Sequence, residues 1–99
     1  ESPLKPGEGP SPEERKAGNY EAIFVAQGAG GEMLITSVAG DRDPGYGSTS
    51  KMLAEAALCL LNNPELGEGG VTTPAAAMGQ PLIDRLQANA GITFKIESP

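Results

Sequence analysis

Apolar and polar residues alternate in two stretches joined by four small residues. NYEAIFVAQ (19–27) places Tyr20, Ala22, Phe24 and Ala26 on one side of a strand and Ile23 and Val25 on the other. EMLITSVAG (32–40) follows after GAGG (28–31). Successive side chains point to opposite faces of a strand, so a period of two predicts two strands, and a short glycine-rich connection makes them a β-hairpin. Large residues on both sides of the first strand predict cover on both faces. The period then changes. Leu53, Ala56, Ala57, Leu60 and Leu61 fall at the i, i+3, i+4, i+7, i+8 spacing of one helical face and predict a helix over 48–62. Ser48 or Thr49 is the expected N-cap, and Asn62-Asn63-Pro64 the expected stop, because proline restricts the residue before it. Thr73-Pro74 opens a short helical turn that Gly79 closes. Pro81 starts a second helix, PLIDRLQANA, with Leu82, Ile83, Leu86 and Ala90 inward and Gly91 as its cap. ITFKI (92–96) is the last strand, with Ile92, Phe94 and Ile96 on one face.

The elements run β-β-α-α-β. Helices on a small, largely antiparallel sheet, made of the hairpin and a C-terminal strand, define an α+β domain over residues 19–99. Residues 1–18, ESPLKPGEGPSPEERKAG, fit a linker or a segment pinned by a partner. Four of the nine prolines lie in the first twelve residues, and Leu4 is the single large aliphatic side chain there. Such a stretch buries too little apolar area to offset chain ordering. Within it, Ser11, Pro12 and Glu14 stand where an N-cap, a first helical residue and a capping-box acid would stand; a solvated linker is the favoured reading.

Charge narrows the partners. The net charge of −6 repels phosphate backbones, which argues against nucleic acid. The longest apolar run, Leu53–Leu61, is interrupted by Glu55 and is far shorter than the roughly 18 residues of a membrane span. One cysteine permits no internal disulfide, which with the lack of a signal-peptide pattern fits a cytoplasmic protein. No histidine is present, so the usual general base and the commonest metal ligand are missing, and no metal set is expected.

The chemistry concentrates in DRDPGYGSTSKM (41–52). Two glycines, three hydroxyl residues and Lys51 precede the helix, and a helix start exposes unpaired N–H groups and a partial positive charge that suit an anion. Against this, the Walker pattern needs lysine directly after its second glycine, whereas Gly47 is followed by Ser48, Thr49 and Ser50. Asp41 and Asp43 also oppose an anion. Two readings stand, a small-anion site at 45–51 and a plain turn with a helix cap, and the second is favoured. The dinucleotide fingerprint needs glycines at relative positions one, three and six. GAGGEM has methionine at the sixth position, GEGGVT threonine and GEGPSP proline. Asp41, Asp43, Glu55 and Asp84 read as solvated surface. Cys59, inside the apolar run, reads as a small core residue. Tyr46 is either exposed for contact or folded back over the hairpin.

Gly69–Gly70–Val71, Thr73–Pro74, Leu82–Ile83–Asp84–Arg85–Leu86 and Gly91–Ile92–Thr93–Phe94, with Gly45–Tyr46–Gly47, Thr49, Lys51–Met52 and Glu55–Ala56–Ala57–Leu58, form a pattern over nearly the whole chain. It resembles the C-terminal region of saccharopine-dehydrogenase-like oxidoreductases, a group of bacterial proteins that includes the mycobacterial trans-acting enoyl reductases. The resemblance implies a larger enzyme whose N-terminal Rossmann domain binds NAD or NADP. In it this region would line the substrate cleft or a homodimer face, with no cofactor of its own and no turnover alone. It also implies that Tyr46, Gly47, Ser48, Thr49 and Lys51 face the interdomain cleft or the cofactor. It supplies no catalytic residue. The rival expectation is a stand-alone interaction module that pairs the exposed edge of its hairpin with another chain.

Overall fold

The computed structural model describes residues 5–98. A short helix, α1 (Pro12–Ala17), precedes β1 (Tyr20–Gln27) and β2 (Met33–Gly40). Two longer helices follow, α2 (Gly47–Asn62) and α3 (Pro74–Asn89), and the strand β3 (Ile92–Ser98) ends the chain. The sheet has three antiparallel strands in the order β1-β2-β3. The α+β architecture and the β-β-α-α-β order stand as the sequence predicts, with α1 added in front.

α1 forms where a solvated linker was the favoured reading. Ser11 and Glu14 make a reciprocal capping box: Ser11 Oγ accepts the Glu14 amide at 3.2 Å, and Glu14 Oε2 accepts the Ser11 amide at 2.7 Å. Pro12, already helical in φ, takes the first position, where its missing N–H costs nothing.

The hairpin register sets Tyr20 opposite Gly40 and Gln27 opposite Met33. β3 continues the pairing from Gly40↔Ile92 to Thr36↔Ile96, with an irregularity at Ile35/Thr36. Tyr20, Val38, Ile92 and Phe94 therefore cluster at one end of the sheet, and it is there that α3 packs. The core is small: Cys59, Met78, Leu82, Leu86, Ala90 and Ile92. The other end of the sheet extends beyond the helices. Ile23, Phe24 (56% exposed), Val25, Met33, Leu34 and Ile96 are all exposed there. The cover predicted on both faces of β1 is thus missing toward the hairpin tip. The radius of gyration, 16.4 Å, exceeds the roughly 13 Å of a compact domain of this length.

α3 is bent at Gly79, whose φ of 53° and ψ of −133° interrupt the helix before Pro81 restarts it. The short turn and the second helix expected from the sequence are its two halves. Thr73 caps the first in position, although its hydroxyl makes no capping bond. The second ends at Ala90, and Gly91, at φ 67°, makes the left-handed exit. A Cβ on Gly91 would also meet the end of the exposed Asp41 side chain, which would have to turn aside.

α2 departs most from expectation. It packs chiefly on α3, through Met52, Ala56 and Cys59. The stripe its periodicity singles out points mostly away: Leu53 (72% exposed), Ala57, Leu60 and Leu61 (74% exposed) face solvent, and only Ala56 of that set is half-buried. The helix is apolar over most of its circumference, so periodicity selects its richer side, while the shape of the neighbouring α3 selects the side that is covered. A helix apolar nearly all round is ordinarily buried on more than one side.

Candidate functional site

The turn before α2 is built around Asp43. Its Oδ2 accepts the Tyr46 amide at 2.6 Å and the Gly47 amide at 3.1 Å, and its carbonyl accepts the Ser48 amide at 2.7 Å. The helix therefore begins at Gly47, with Tyr46 at the N-cap position, and neither Ser48 nor Thr49 caps it. The free amides that make a helix start attractive to an anion are engaged by a carboxylate from the same chain. Those amide bonds, Tyr46 first and Gly47 second, with smaller help from Gly45 and the Arg15 guanidinium, hold the Asp43 carboxyl below its ordinary range against a smaller opposing effect of desolvation.

The hydroxyls next along the chain are likewise committed. Ser48 is fully buried, and its Oγ lies 2.8 Å from the Tyr20 hydroxyl, which ties the start of β1 to α2. Thr49 Oγ1 donates to the Pro44 carbonyl, and Ser50 Oγ to the Gly47 carbonyl at 3.1 Å. Lys51 is half-buried and makes no ion pair among the described residues. Tyr46 is 57% exposed. It is not folded over the hairpin; its ring lies against Gly9 of the N-terminal segment, where a Cβ would come within 3.0 Å of it.

Tyr46, Gly47 and Ser50 line an open cleft of about 590 Å³ with Gly7, Gly9, Pro10 and Arg15. The structure thus brings Tyr46 and Gly47 to one surface and puts Ser48 inside. It adds Arg15, which the sequence reading left in the linker. Arg15 Nη1 donates to the Pro10 carbonyl at 2.8 Å, and its own carbonyl accepts the Asp43 amide at 3.0 Å, so α1 is stitched to the turn. The legible signal was the capping box, since a helix fixed at Ser11 also fixes the side of the chain on which Arg15 emerges.

Glu55 is not solvated surface. Its Oε2 accepts from Arg85 Nε at 2.9 Å and Asn89 Nδ2 at 3.3 Å, and its side chain is 13% exposed, so it clamps α2 to α3. Asp84 accepts from Gln80, and Asp41 pairs loosely with Arg42 at 3.6 Å. Cys59 is a buried free thiol, as expected, with Asn63 Nδ2 donating to its carbonyl at 2.7 Å beyond the helix end. No group of three or more metal-ligating side chains occurs among the described residues, and no helix there is long and apolar enough to cross a membrane. At the start of α2, where an anion would sit, the Gly47 amide is already taken by Asp43.

A second cleft, of about 660 Å³, lies between α2, α3 and the sheet. Val38, Met52, Ala56, Leu82, Leu86 and Phe94 are among its walls, and no charged side chain of the described residues lines it. Thr49, in the first turn of α2, borders it at the end nearest the Asp43 turn.

Over 93 residues the chain is 42% identical to a protein of Mycobacterium tuberculosis named for trans-acting enoyl reductase activity, a match that takes in 92% of this chain and 22% of that protein. The trans-acting enoyl reductase of Mycobacterium ulcerans is 40% identical over 84 residues, 83% of this chain and 20% of its own length. That of Mycobacterium bovis is 39% identical over 92 residues, 91% and 22%. This chain is therefore similar to one portion of proteins named as reductases and spans about a fifth of their length. No family model matches it. No solved structure matches it.

Proposed function

We propose that the chain is the C-terminal domain of an NAD(P)-dependent oxidoreductase, of the group that holds the saccharopine-dehydrogenase-like proteins and the trans-acting enoyl reductases. Its role is to complete the substrate cleft, and it has no turnover by itself. The carrying observation is a match over 92% of this chain that takes in 22% of the relative. Two structural facts support it. An α+β unit that exposes Leu53, Leu60 and Leu61 on one helix and Ile23, Phe24 and Val25 on its hairpin has apolar surface to give to further protein. The exposed Tyr46, beside Gly47 and Lys51 at the start of α2, then faces the interdomain cleft. The parent enzyme reduces a carbon–carbon double bond conjugated to a carbonyl, and its nicotinamide cofactor is held by a Rossmann domain outside these residues.

Titrating the 99-residue chain with NADPH tests this reading, with backbone amide shifts as the signal. Unmoved resonances are the expected outcome. Tight binding by these residues would overturn it. The rival, a stand-alone interaction module, draws on the outer edge of β1, which among the described residues pairs only with β2. The reading frame upstream of Glu1 separates the two: a strand followed by G-x-G-x-x-G supports the oxidoreductase, and a start codon beside Glu1 supports the module.

A further inference from the structure

We infer that β1 is an interior strand of a larger sheet, and that a strand from the part of the reductase outside these residues pairs along its outer edge. That source rests on the oxidoreductase reading; the unfinished edge does not. The two edges of the sheet are unlike. On β3 the alternate positions Thr93, Lys95 and Glu97 are all exposed, and an irregularity at Ile35/Thr36 breaks the pairing toward its end. Charged side chains and a broken register are devices by which a sheet stops. β1 lacks both. Its eight residues pair with β2 without a shift, contain no proline and carry Glu21 as their single charge. Their centre, Ala22–Ala26, is an unbroken apolar run, the pattern of a strand covered on both faces inside a sheet. Among the described residues nothing pairs with its outer edge.

The faces of the sheet lead to the same place. Residues directly opposite one another in a ladder share a face, so the register puts Tyr20, Val38 and Phe94 on one side and Ile23, Val25 and Met33 on the other. The helices pack on the first side. On the second, Ile23, Val25 and Met33 are all exposed, Val25 at 62%. Toward β3 that second side turns polar: Lys95 stands opposite Ser37, and the Ser37 hydroxyl donates to Glu97. The bare apolar area therefore lies beside the unpaired edge. An occupant has two needs to meet there, backbone partners along β1 and apolar cover over Ile23 and Val25. A second copy of this chain meets one of them. Pairing β1 with β1 across a two-fold axis keeps both sets of helices on one side and leaves Ile23 and Val25 bare in both copies. Packing the two bare faces together covers them and leaves the edges unpaired. A larger protein meets both needs, and the relatives are larger: the matched portion is 22% of the protein from Mycobacterium tuberculosis.

The experiment compares the 99-residue chain with the same chain joined to its upstream reading frame. Hydrogen exchange is read on the peptide over 20–27, with light scattering to report whether each protein is a monomer. In the 99-residue chain the alternate amides that β2 does not take should exchange freely. In the longer protein, as a monomer, about half of the peptide's amides should slow by roughly a hundredfold or more. Val25→Lys gives a second readout. It should leave the urea midpoint of the 99-residue chain unchanged, because the side chain is exposed there, and lower the midpoint or the folded yield of the longer protein. Thr93→Lys, on the same face at the opposite edge, should be silent in both. The exchange measurement on the parent proteins stands if Val25→Lys does not fold. Three results would overturn the inference: equally free exchange of β1 in the longer protein; protection that appears only on dimerisation, which makes the occupant a second copy; or equal tolerance of Val25→Lys in both proteins. An upstream dinucleotide domain with β1 still exchanging freely removes the added strand and leaves the domain reading standing. A start codon beside Glu1 removes the domain reading, and the strand with it.

Discussion

α2 and α3 are both sixteen residues long, and they are held in opposite ways. α3 carries the weaker helical pattern, with Gly79 and Pro81 inside it, yet it supplies Met78, Leu82 and Leu86 to the core. α2 carries the continuous apolar run, yet its buried residues are Ser48 and Cys59, while Leu53, Leu58, Leu60 and Leu61 are exposed. α3 is fixed by burial. α2 is fixed at points: the Asp43 carboxylate at its start, the Glu55–Arg85 pair at its middle and the Asn63 bond at its end. The difference teaches that apolar density along a helix reports how much surface it has to bury in total. It does not report how much of that surface the same eighty residues cover.

The largest expected effect sets the two helices against each other. Leu86→Ala should cost about 2–5 kcal/mol of unfolding free energy, because it opens a cavity among buried neighbours, whereas Leu61→Ser, at an exposed site, should stay within about 0.5 kcal/mol. Urea unfolding of both variants reads this, and equal losses would break the comparison. A smaller loss is expected at the kink of α3. Gly79→Ala places a Cβ at positive φ and should cost about 1–3 kcal/mol, with no contact with a neighbour to add to it. If the variant is as stable as the parent, the bend is not held by backbone conformation.

The third prediction concerns the start of α2 and is set by pH. The folded-state pKa of Asp43 is lowered, so the stabilisation is fully present above the unfolded-state value near 3.8 and is lost as pH falls through the depressed folded value. Asp43→Asn should therefore be less stable than the parent at neutral pH, and the gap should narrow as the pH drops below about 4. A gap independent of pH would mean that the carboxylate charge does not hold the turn. The same bonds imply that inorganic phosphate leaves the amides of Gly47 to Lys51 in place at neutral pH.

The fold was largely legible because its signals are local. Period two in NYEAIFVAQ and EMLITSVAG, the glycines between them, Thr73-Pro74 and Gly79 each act over a few residues, and the hairpin and the divided α3 followed. The Ser11–Glu14 capping box was equally local, but it competed with a composition too polar to predict a docked helix. The turn before α2 was legible in place and not in detail. DRDPGYGSTSKM marks the turn, but which group caps α2 depends on which reaches the amides, and Asp43, three residues before the N-cap, reaches them. Ser48 was drawn inside by the Tyr20 hydroxyl, twenty-eight positions away. Glu55 lost its solvent to Arg85, thirty positions away.

The sequence by itself determined the order of the elements, the strand pairing of the hairpin, the bend before Pro81 and the absence of a phosphate-loop spacing, since each depends on residues adjacent in the chain. Only the tertiary structure decided which side of α2 is covered, that Asp43 takes the helix amides, that Arg15 joins Tyr46 at one cleft, and that an apolar cleft remains between α2, α3 and the sheet. Those outcomes depend on how rigid elements meet, and a helix apolar on nearly every side gives its sequence no means of saying which side its neighbour will take.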